Sequence, residues 1–345
     1  MTNFFDLTFE QLEKLLAELD PKPFRTDQVL KWVYVRGAAD FGAMTDMPLV
    51  LREELSSMVE LNPMREIERH DSDDGTVKFL HILEDGEMIE SVIIPEEGHK
   101  TLCISTQTGC AMGCVFCETG RTRGGRDLTP GEILAQVVYA VRYVGDRLDL
   151  RNLVFMGMGE PLRNLESLLC SLEIILSDRA LDFSPRRVTV STCGWVPGVL
   201  CLAGAGLDVN LAVSLNATED ATRTKLMPVN RKYPIRELMK AVKSFPVKAR
   251  RRITFEYVLI EGVNDTLEDA WRLAYILKGL PSKVNLIPCN DNRSGLKAPS
   301  PSRIEAFQSA LFAKGVLTTV RKSRGQEIEA ACGQLRAAAE VRNHG

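Results

Sequence analysis

Short apolar segments alternate with amphipathic segments along the chain from about residue 101 onward. The short segments, from TLCIST to VLTTVR, predict strands, and the longer ones, such as PGEILAQVVYAVRYV, carry apolar residues at helical spacing. Strands separated by helices pair in parallel, because each parallel neighbour needs a crossover connection. Six or so such units are too few for a barrel of eight units, so residues 101–322 are predicted to form a partial α/β barrel.

The regions on either side of the predicted barrel have different patterns. Residues 1–60 are expected to form a small helical domain, in which Thr8 and Gln11 have the spacing of a capping box before LEKLLAEL. Residues 61–100 predict a β-rich extension, since the turn EDGE separates two apolar runs. Residues 323–345 form a tail, with glycines on both sides of a short segment predicted to be helical.

Composition excludes several classes of protein. The 345 residues include 43 Lys and Arg against 46 Asp and Glu, which excludes a protein that coats nucleic acid non-specifically. No apolar run is long enough to span a bilayer, and MTNFFDLTFEQLEK lacks the pattern of a signal peptide. We therefore expect a cytoplasmic protein with no membrane partner.

Nine cysteines in a cytoplasmic chain favour metal, cluster or redox chemistry over a disulfide framework. The strongest signal is CAMGCVFC, residues 110–117, which places Cys110, Cys114 and Cys117 on one short loop after a predicted strand. Three thiolates suit an iron–sulfur cluster with one iron left open, whereas structural zinc needs a fourth ligand. A zinc loop with a distant ligand, or buried cysteines, are the alternatives. Cys170 and Cys201 lie in apolar helical segments and are expected in the core.

Several polar residues follow other predicted strands. GMGEPL, residues 157–162, follows the strand NLVF, and its glycines would let a ligand approach the backbone closely. Ser191, Ser214, Asn216 and Asn290 follow or end further strands, at the edge where barrel enzymes keep their active sites. Taken singly, each is better explained as a turn or capping residue.

The motifs together resemble the RlmN/Cfr family of dual-specificity RNA methyltransferases, in the radical S-adenosylmethionine (SAM) superfamily. The matching segments are CISTQTGCAMGCVFC, GMGEPL, NATEDATRTKLMPVNRKYPI, RRITFEYVLIEGVND and RKSRGQEIEAACGQL. The resemblance also covers FRTDQVLKWVY near the N-terminus. It implies a partial (β/α)6-type radical SAM barrel with an N-terminal helical accessory domain that binds RNA.

The resemblance assigns roles to individual residues. Cys110, Cys114 and Cys117 match the ligands of a 4Fe-4S cluster, Cys332 matches a cysteine methylated during turnover, and Cys103 matches a second functional thiol. Glu90 matches a proton acceptor. The positions that match SAM contacts are Gly159, Glu160, Ser191, Ser214, Leu215, Asn216 and Asn290.

The residue pattern alone would predict simpler roles for three of these positions. Cys103 would be a buried strand cysteine, Cys332 a small residue in a terminal helix, and Glu90 a solvent-facing strand residue.

The family chemistry uses two SAM molecules per turnover. One methylates Cys332, and the second, cleaved at the cluster, yields the radical that activates the S-methyl group. The activated carbon adds to adenine and leaves a protein–RNA crosslink. Glu90 then removes a ring proton, and Cys103 attacks the Cys332 sulfur, which releases the RNA and forms a disulfide.

The resemblance implies methylation of carbon 2 of an adenosine in 23S ribosomal RNA, with transfer RNA as a second candidate substrate. An electron donor such as flavodoxin or ferredoxin and a monomeric enzyme are expected. The alternatives are a carbon 8 methyltransferase of the Cfr type and a radical SAM enzyme acting on a non-RNA substrate. A non-catalytic RNA-binding protein with a structural metal is the alternative from another class.

The chain also departs from the family pattern. Asn216 stands where the family has His, Cys193 replaces Ser, Cys289 replaces an aromatic residue, and GRTRGGRDL (residues 120–128) lacks an aromatic residue. These changes leave open how the substrate is positioned, but they do not affect the assignment of the cluster ligands. Three basic groups are predicted to contact RNA beside the active site: Arg121, Arg123 and Arg126; Lys248 with Arg250, Arg251 and Arg252; and Arg321, Lys322 and Arg324.

Overall fold

In a computed structural model that describes residues 1–61, 64–121, 124–290 and 294–337, the chain begins with a helical unit. A two-residue strand, β1, pairs in parallel with β2 at the end of this unit. These elements are β1 (Thr2–Asn3), α1 (Phe9–Leu19), α2 (Arg25–Leu30), α3 (Leu49–Met58) and β2 (Val59–Glu60). The helical character predicted for this region is thus confirmed.

The capping box predicted at the start of α1 is present. The Gln11 backbone N–H donates to the Thr8 hydroxyl at 3.2 Å, and the Thr8 N–H donates to the Gln11 side chain at 2.9 Å. Two amides that would otherwise lack partners at the helix end are thereby satisfied.

Thr8→Ala is expected to lower the free energy of unfolding by about 1 kcal/mol, because one capping bond is lost. Denaturant unfolding followed by circular dichroism measures the change. Thr8→Ser keeps the hydroxyl and should stay close to the wild type, so an equal loss in both variants would contradict a capping role.

The remaining strands form one ten-stranded open sheet that has β3 and β12 at its edges. Strands β3 to β6 are antiparallel and β6 to β12 are parallel. They are β3 (Met64–Asp71), β4 (Val77–Leu83), β5 (Met88–Glu96), β6 (His99–Cys103), β7 (Leu150–Phe155), β8 (Val188–Thr192), β9 (Asn210–Ser214), β10 (Ile253–Leu259), β11 (Ser282–Pro288) and β12 (Thr318–Val320). The predicted extension therefore continues the barrel sheet rather than standing apart from it.

Helices connect the parallel strands, as the alternation predicted. They are α4 (Glu118–Arg121), α5 (Pro130–Val144), α6 (Leu165–Leu176), α7 (Val196–Gly204), α8 (Asp220–Leu226), α9 (Ile235–Lys243), α10 (Leu267–Ile276) and α11 (Pro301–Ala313). The apolar core lies between them and the sheet and continues into the N-terminal helical unit. The Asp6 carboxylate also accepts the Gly131 N–H at 2.7 Å, at the start of α5. The fold is an α/β partial barrel, and the domain boundaries stay predictions.

Two predictions about the chain are wrong. The described part of the tail, residues 323–337, forms turns rather than a helix, because each turn is held by contacts to the barrel instead of by its own backbone ladder. Cys201 is exposed and Cys170 is half-buried, since both lie on helix faces turned partly to solvent.

No helix among the described residues is both long and apolar enough to cross a membrane.

Candidate active site

The parallel strands end at a cleft, at the edge of the sheet where their carboxyl ends converge. The empty volume of the cleft is about 960 Å³, which is the size of a small-molecule site. Residues of the strand ends, the loops after them and the tail line it. The predicted site residues among them are Cys110, Cys114, Cys117, Gly159, Glu160, Ser191, Ser214, Asn216, Asn290 and Cys332. The fold thus brings together side chains that are far apart in sequence.

The three clustered cysteines lie on the loop between β6 and α4. The Val115 N–H donates to the Leu226 carbonyl at 3.0 Å, which ties this loop to the end of α8. Burial raises the pKa of Cys110 to about 12. Burial also raises the pKa of Cys114, and the neighbouring Cys117 and Cys110 thiols raise it further. Three thiolates at this place therefore need a positive metal centre to be stable.

This loop fits an iron–sulfur cluster better than a single ion. Within the described ranges, no three His, Cys, Asp or Glu side chains lie close enough together to hold one metal ion. A cluster binds its cysteines through separate irons, so its ligands lie farther apart than those of one ion. Metal coordination deprotonates a thiol outright and so reverses the effect of burial. The described residues therefore provide no complete set of ligands for the zinc alternative.

Gly159 and Glu160 lie in the loop after β7. Gly159 has a φ of +102°, and an added Cβ would lie 2.7 Å from the Gln107 side chain, so only glycine fits. The buried Glu160 carboxylate accepts the Cys193 N–H at 2.7 Å and the Leu162 N–H at 3.1 Å. Burial raises its pKa. The carboxylate lines the cleft, where the ammonium group of a ligand would form a charged pair with it.

The next two predicted positions lie at the ends of β8 and β9. Ser191 and Ser214 line the cleft. Asn216 lines it too, but with a φ of +58° its side-chain oxygen accepts the Val258 N–H at 2.8 Å and braces the neighbouring strand. Leu215 is fully buried and does not line the cleft. A contact of Leu215 with a ligand would therefore involve its backbone.

Asn290 holds the tail in place. Its amide nitrogen donates to the Cys332 carbonyl at 2.9 Å, and its amide oxygen accepts from the Gln326 side chain at 2.8 Å and from the Ser323 hydroxyl. Asn290 therefore connects the cleft to the segment that carries Cys332.

Cys103 and Cys332 face a second cavity of about 690 Å³ beside the cleft. Both are free thiols, with Cys103 buried and Cys332 exposed. Burial raises the pKa of Cys103 to about 12, the Cys332 thiol adds to this, and the Arg321 guanidinium opposes it. Cys332 lines both cavities, so it borders the cysteine loop on one side and Cys103 on the other.

The predicted proton acceptor lies outside both cavities. Glu90 is 2% exposed, which contradicts the solvent-facing alternative, because β4 and the tail cover it. Burial raises its pKa, and the Lys78 ammonium at 3.2 Å opposes that rise. The Arg336 and Ala337 amides also donate to the carboxylate.

Three of the four departures from the family pattern line the cleft. They are Cys193, Asn216 and Cys289. Burial raises the pKa of Cys193, and the nearby Glu160 carboxylate raises it further. These residues shape the site without altering the cysteine loop.

The structure contradicts the predicted placement of one basic group, residues 248–252, beside the active site, and RNA contact itself stays a prediction for all three groups. Arg126 is engaged in ion pairs with Asp85 at 2.6 Å and Glu132 at 2.7 Å. The basic run 248–252 precedes β10 and lies at the amino ends of the parallel strands, opposite the cleft, and two of its cations pair with Asp208. Because the strands are parallel, residues that precede a strand lie at the amino edge of the sheet. Barrel enzymes keep their active sites at the opposite, carboxyl edge.

The third group splits into two kinds of residue. Arg321 lines both cavities. Arg324 is exposed and lines the second cavity, and Lys322 is exposed and lines neither. Arg121 is exposed, and Arg123 lies outside the described residues.

Sequence reasoning also missed Glu256 and Lys78. Glu256 lines the cleft from the middle of β10, and Lys78 pairs with Glu90. Each is a charged residue within an apolar strand, which is the signal that could have found it.

Comparison with known proteins agrees with this arrangement. Residues 2–61 match the family described as Ribosomal RNA large subunit methyltransferase N-terminal domain, and residues 104–274 match the Radical SAM superfamily. A relative named Dual-specificity RNA methyltransferase RlmN, from Anaeromyxobacter dehalogenans (strain 2CP-C), is 51% identical over 95% of this chain and 90% of its own length. The protein of the same name from Geobacter sulfurreducens (strain ATCC 51573 / DSM 12127 / PCA) is 47% identical over 97% of this chain and 92% of its own length.

A solved structure shows the same fold. The crystal structure of a radical SAM methyltransferase from Sphaerobacter thermophilus has a TM-score of 0.92 and 44% sequence identity, and the match covers 98% of this chain and 100% of that chain. Enzymes of the radical SAM superfamily use a 4Fe-4S cluster and SAM, and the cysteine loop and cleft fit both. This chain belongs to the RlmN family of dual-specificity RNA methyltransferases, within the radical SAM superfamily.

Proposed function

We propose that this enzyme methylates carbon 2 of an adenosine in 23S ribosomal RNA, and of one in transfer RNA, through S-methylation of Cys332. The relatives' shared name supports an RNA substrate and dual specificity. The observation that carries the proposal is the position of Cys332, which lines both the cleft of the cysteine loop and the cavity of Cys103. Cys332 therefore borders both the cleft where it would be methylated and the cavity where Cys103 would attack it.

The exposed Cys332 thiolate is the methyl acceptor. An adenine ring carbon is too weak a nucleophile to displace the methyl group of SAM, whereas a thiolate does so readily. A sulfur–carbon bond forms at Cys332 as the sulfonium–methyl bond breaks, and S-adenosylhomocysteine leaves. The cluster, when bound, supplies the electron that cleaves a second SAM and so starts hydrogen abstraction from the S-methyl group.

The later steps use Glu90 and Cys103. Once the S-methylene radical has added to adenine, Glu90 takes the ring proton, and the bound cluster would take back the unpaired electron. The Cys103 thiolate then attacks the Cys332 sulfur and a disulfide forms. The sulfur–carbon bond breaks with its electron pair on the methylene carbon, which takes up a proton and becomes the methyl group. The cavity shared by the two thiols supports this step. An external dithiol supplies the two electrons that restore both thiols.

RNA is proposed to contact the N-terminal helical unit and the exposed cations beside the cleft. Arg324 lines the second cavity, the exposed Lys322 lies two positions before it in sequence, and Arg121 follows the cysteine loop. A monomeric enzyme, a flavodoxin or ferredoxin donor and a cytoplasmic location stay predictions.

Anaerobic reconstitution with iron, sulfide, SAM, a reductant and RNA tests the position that is modified. The RNA is digested and the methyladenosine is compared with 2-methyl and 8-methyl standards by chromatography and mass spectrometry. A 2-methyladenosine product is expected. An 8-methyladenosine product would contradict the proposed position and support the Cfr-type alternative.

Cys332→Ala is expected to abolish RNA methylation, because the methyl carrier is missing, while the cluster and SAM cleavage remain. Mass spectrometry of the wild-type protein should show S-methylcysteine at Cys332. Cys201→Ala, which removes another exposed thiol, serves as the control and should methylate normally. A normal methyl yield from Cys332→Ala would rule out the covalent route.

A further inference from the structure

The tail is fastened to the helix that follows the cysteine loop. The Glu118 N–H donates to the Gly333 carbonyl at 2.7 Å, and the Thr119 hydroxyl donates to the Leu335 carbonyl at 2.5 Å. Glu118 and Thr119 directly follow Cys117 in sequence. The position of the tail is thereby tied to the position of the loop that holds the cluster.

A second set of contacts lies farther along the tail and attaches it to the antiparallel strands. Oε2 of Glu90 accepts the backbone N–H groups of Arg336 at 2.8 Å and Ala337 at 3.2 Å. The Lys78 ammonium lies 3.2 Å from Oε1 of the same carboxylate. Glu90 is 2% exposed and Lys78 is 6% exposed, so the contact is shielded from water. Hydrogen bonds to an ionised, buried acceptor are the strong ones.

The Lys78 ammonium favours the ionised form of this carboxylate. Lys78 on β4 is a diagonal neighbour of Glu90 on β5, because Lys78 pairs in register with Val92. His70 on β3 also faces the Lys78–Glu90 pair. The Arg336 guanidinium forms an ion pair with Glu329 at 2.9 Å. Without the Lys78 charge, the buried carboxylate would hold a proton and bind the tail amides less strongly.

We propose that Lys78, Glu90 and the backbone amides of Arg336 and Ala337 form a latch that positions Cys332, with Lys78 as a positioning residue. The latch fixes the segment just after Cys332, and Asn290 fixes Cys332 itself. Together they hold the thiol at the border of the two cavities.

The latch also affects the proton transfer to Glu90, and this part of the inference rests on the proposed function. Glu90 lines neither cavity, and the tail amides occupy one of its oxygens. The tail must therefore shift before Glu90 takes a proton from the adenine ring. Once protonated, the carboxyl group holds the amides more weakly, which frees the Cys332 segment for attack by Cys103.

Hydrogen–deuterium exchange of the full-length, cluster-reconstituted enzyme tests the latch directly. Lys78→Met, which keeps the chain length but removes the charge, is expected to speed exchange in the peptide containing Arg336 and Ala337 by about tenfold. Glu90→Gln should do the same. Arg69→Gln breaks an exposed ion pair with Asp71 on the neighbouring strand and is the control, expected to match the wild type.

Exchange at wild-type rates in both Lys78→Met and Glu90→Gln would overturn the latch. Should Lys78→Met fold poorly, the neutral double variant Lys78→Met with Glu90→Gln avoids a lone buried charge and tests the same contact. The exchange readout needs no methyl transfer, so its outcome is separate from that of the proposed function.

A second measurement separates positioning from SAM binding. In Lys78→Met, S-methylcysteine at Cys332 should form at least several-fold more slowly, with the affinity for S-adenosylhomocysteine unchanged. Equal losses of methylation rate and of S-adenosylhomocysteine affinity would show a general structural effect and would contradict a positioning role.

Discussion

Cys103→Ala is expected to stop the reaction after the protein–RNA bond has formed, with a covalent adduct accumulating to about one per enzyme. Cys332 would carry the adduct, and Cys103 is the thiol proposed to release it. The two thiols line one cavity, and the third cysteine that lines it, Cys117, is a predicted cluster ligand. Denaturing gels with labelled RNA measure the adduct.

Matched variants decide whether Cys103 is the resolving thiol. The double variant Cys103→Ala with Cys332→Ala should form no adduct, and Cys170→Ala should turn over normally. Normal turnover by Cys103→Ala without an adduct would refute the resolving role and leave Cys103 as a packed strand residue.

The release step should also depend on pH. Burial raises the pKa of Cys103 to about 12, so only a small fraction is thiolate near neutrality. The thiolate fraction rises about tenfold per pH unit below the pKa. Decay of the wild-type adduct should therefore speed up as pH rises from 7 to 9, as followed by quenched-flow gels.

Replacing Cys110, Cys114 and Cys117 together by Ala is expected to abolish cluster binding, SAM cleavage and RNA methylation. The three thiols lie on one short loop and all line the cleft. Iron analysis, visible absorbance and detection of 5′-deoxyadenosine measure the losses.

The control for this variant is Cys170→Ala with Cys201→Ala, which removes two thiols outside the cleft. It should keep its iron and its absorbance. Four irons per chain in the triple variant would contradict the assignment of the ligands, whatever the fate of methylation.

Local pattern was enough to predict the order of the elements. The capping box at Thr8 and the alternation of strands and helices after residue 101 depend on residues within a few positions of one another. Parallel pairing followed from the crossovers, and with it the edge where Ser191 and Ser214 lie. The cysteine loop is contiguous, so its spacing alone indicated a cluster.

The resemblance of the motifs, rather than any periodicity, pointed to Cys103, Cys332 and Glu90. Their own sequence surroundings predicted a packed cysteine, a helical residue and a solvent-facing acid. The structure places Cys103 and Cys332 at one cavity and buries Glu90. Their proposed roles still depend on the experiments above.

The sequence by itself determined the α/β partial barrel and the cysteine loop, because short-range periodicity and spacing encode both. Only the tertiary structure decided the rest. Arg321 points into the cleft while the run 248–252 lies at the opposite edge, and Lys78 meets Glu90 beneath the tail. A buried charged residue and an exposed one look the same in sequence, because burial depends on strands and turns that pack together from distant parts of the chain.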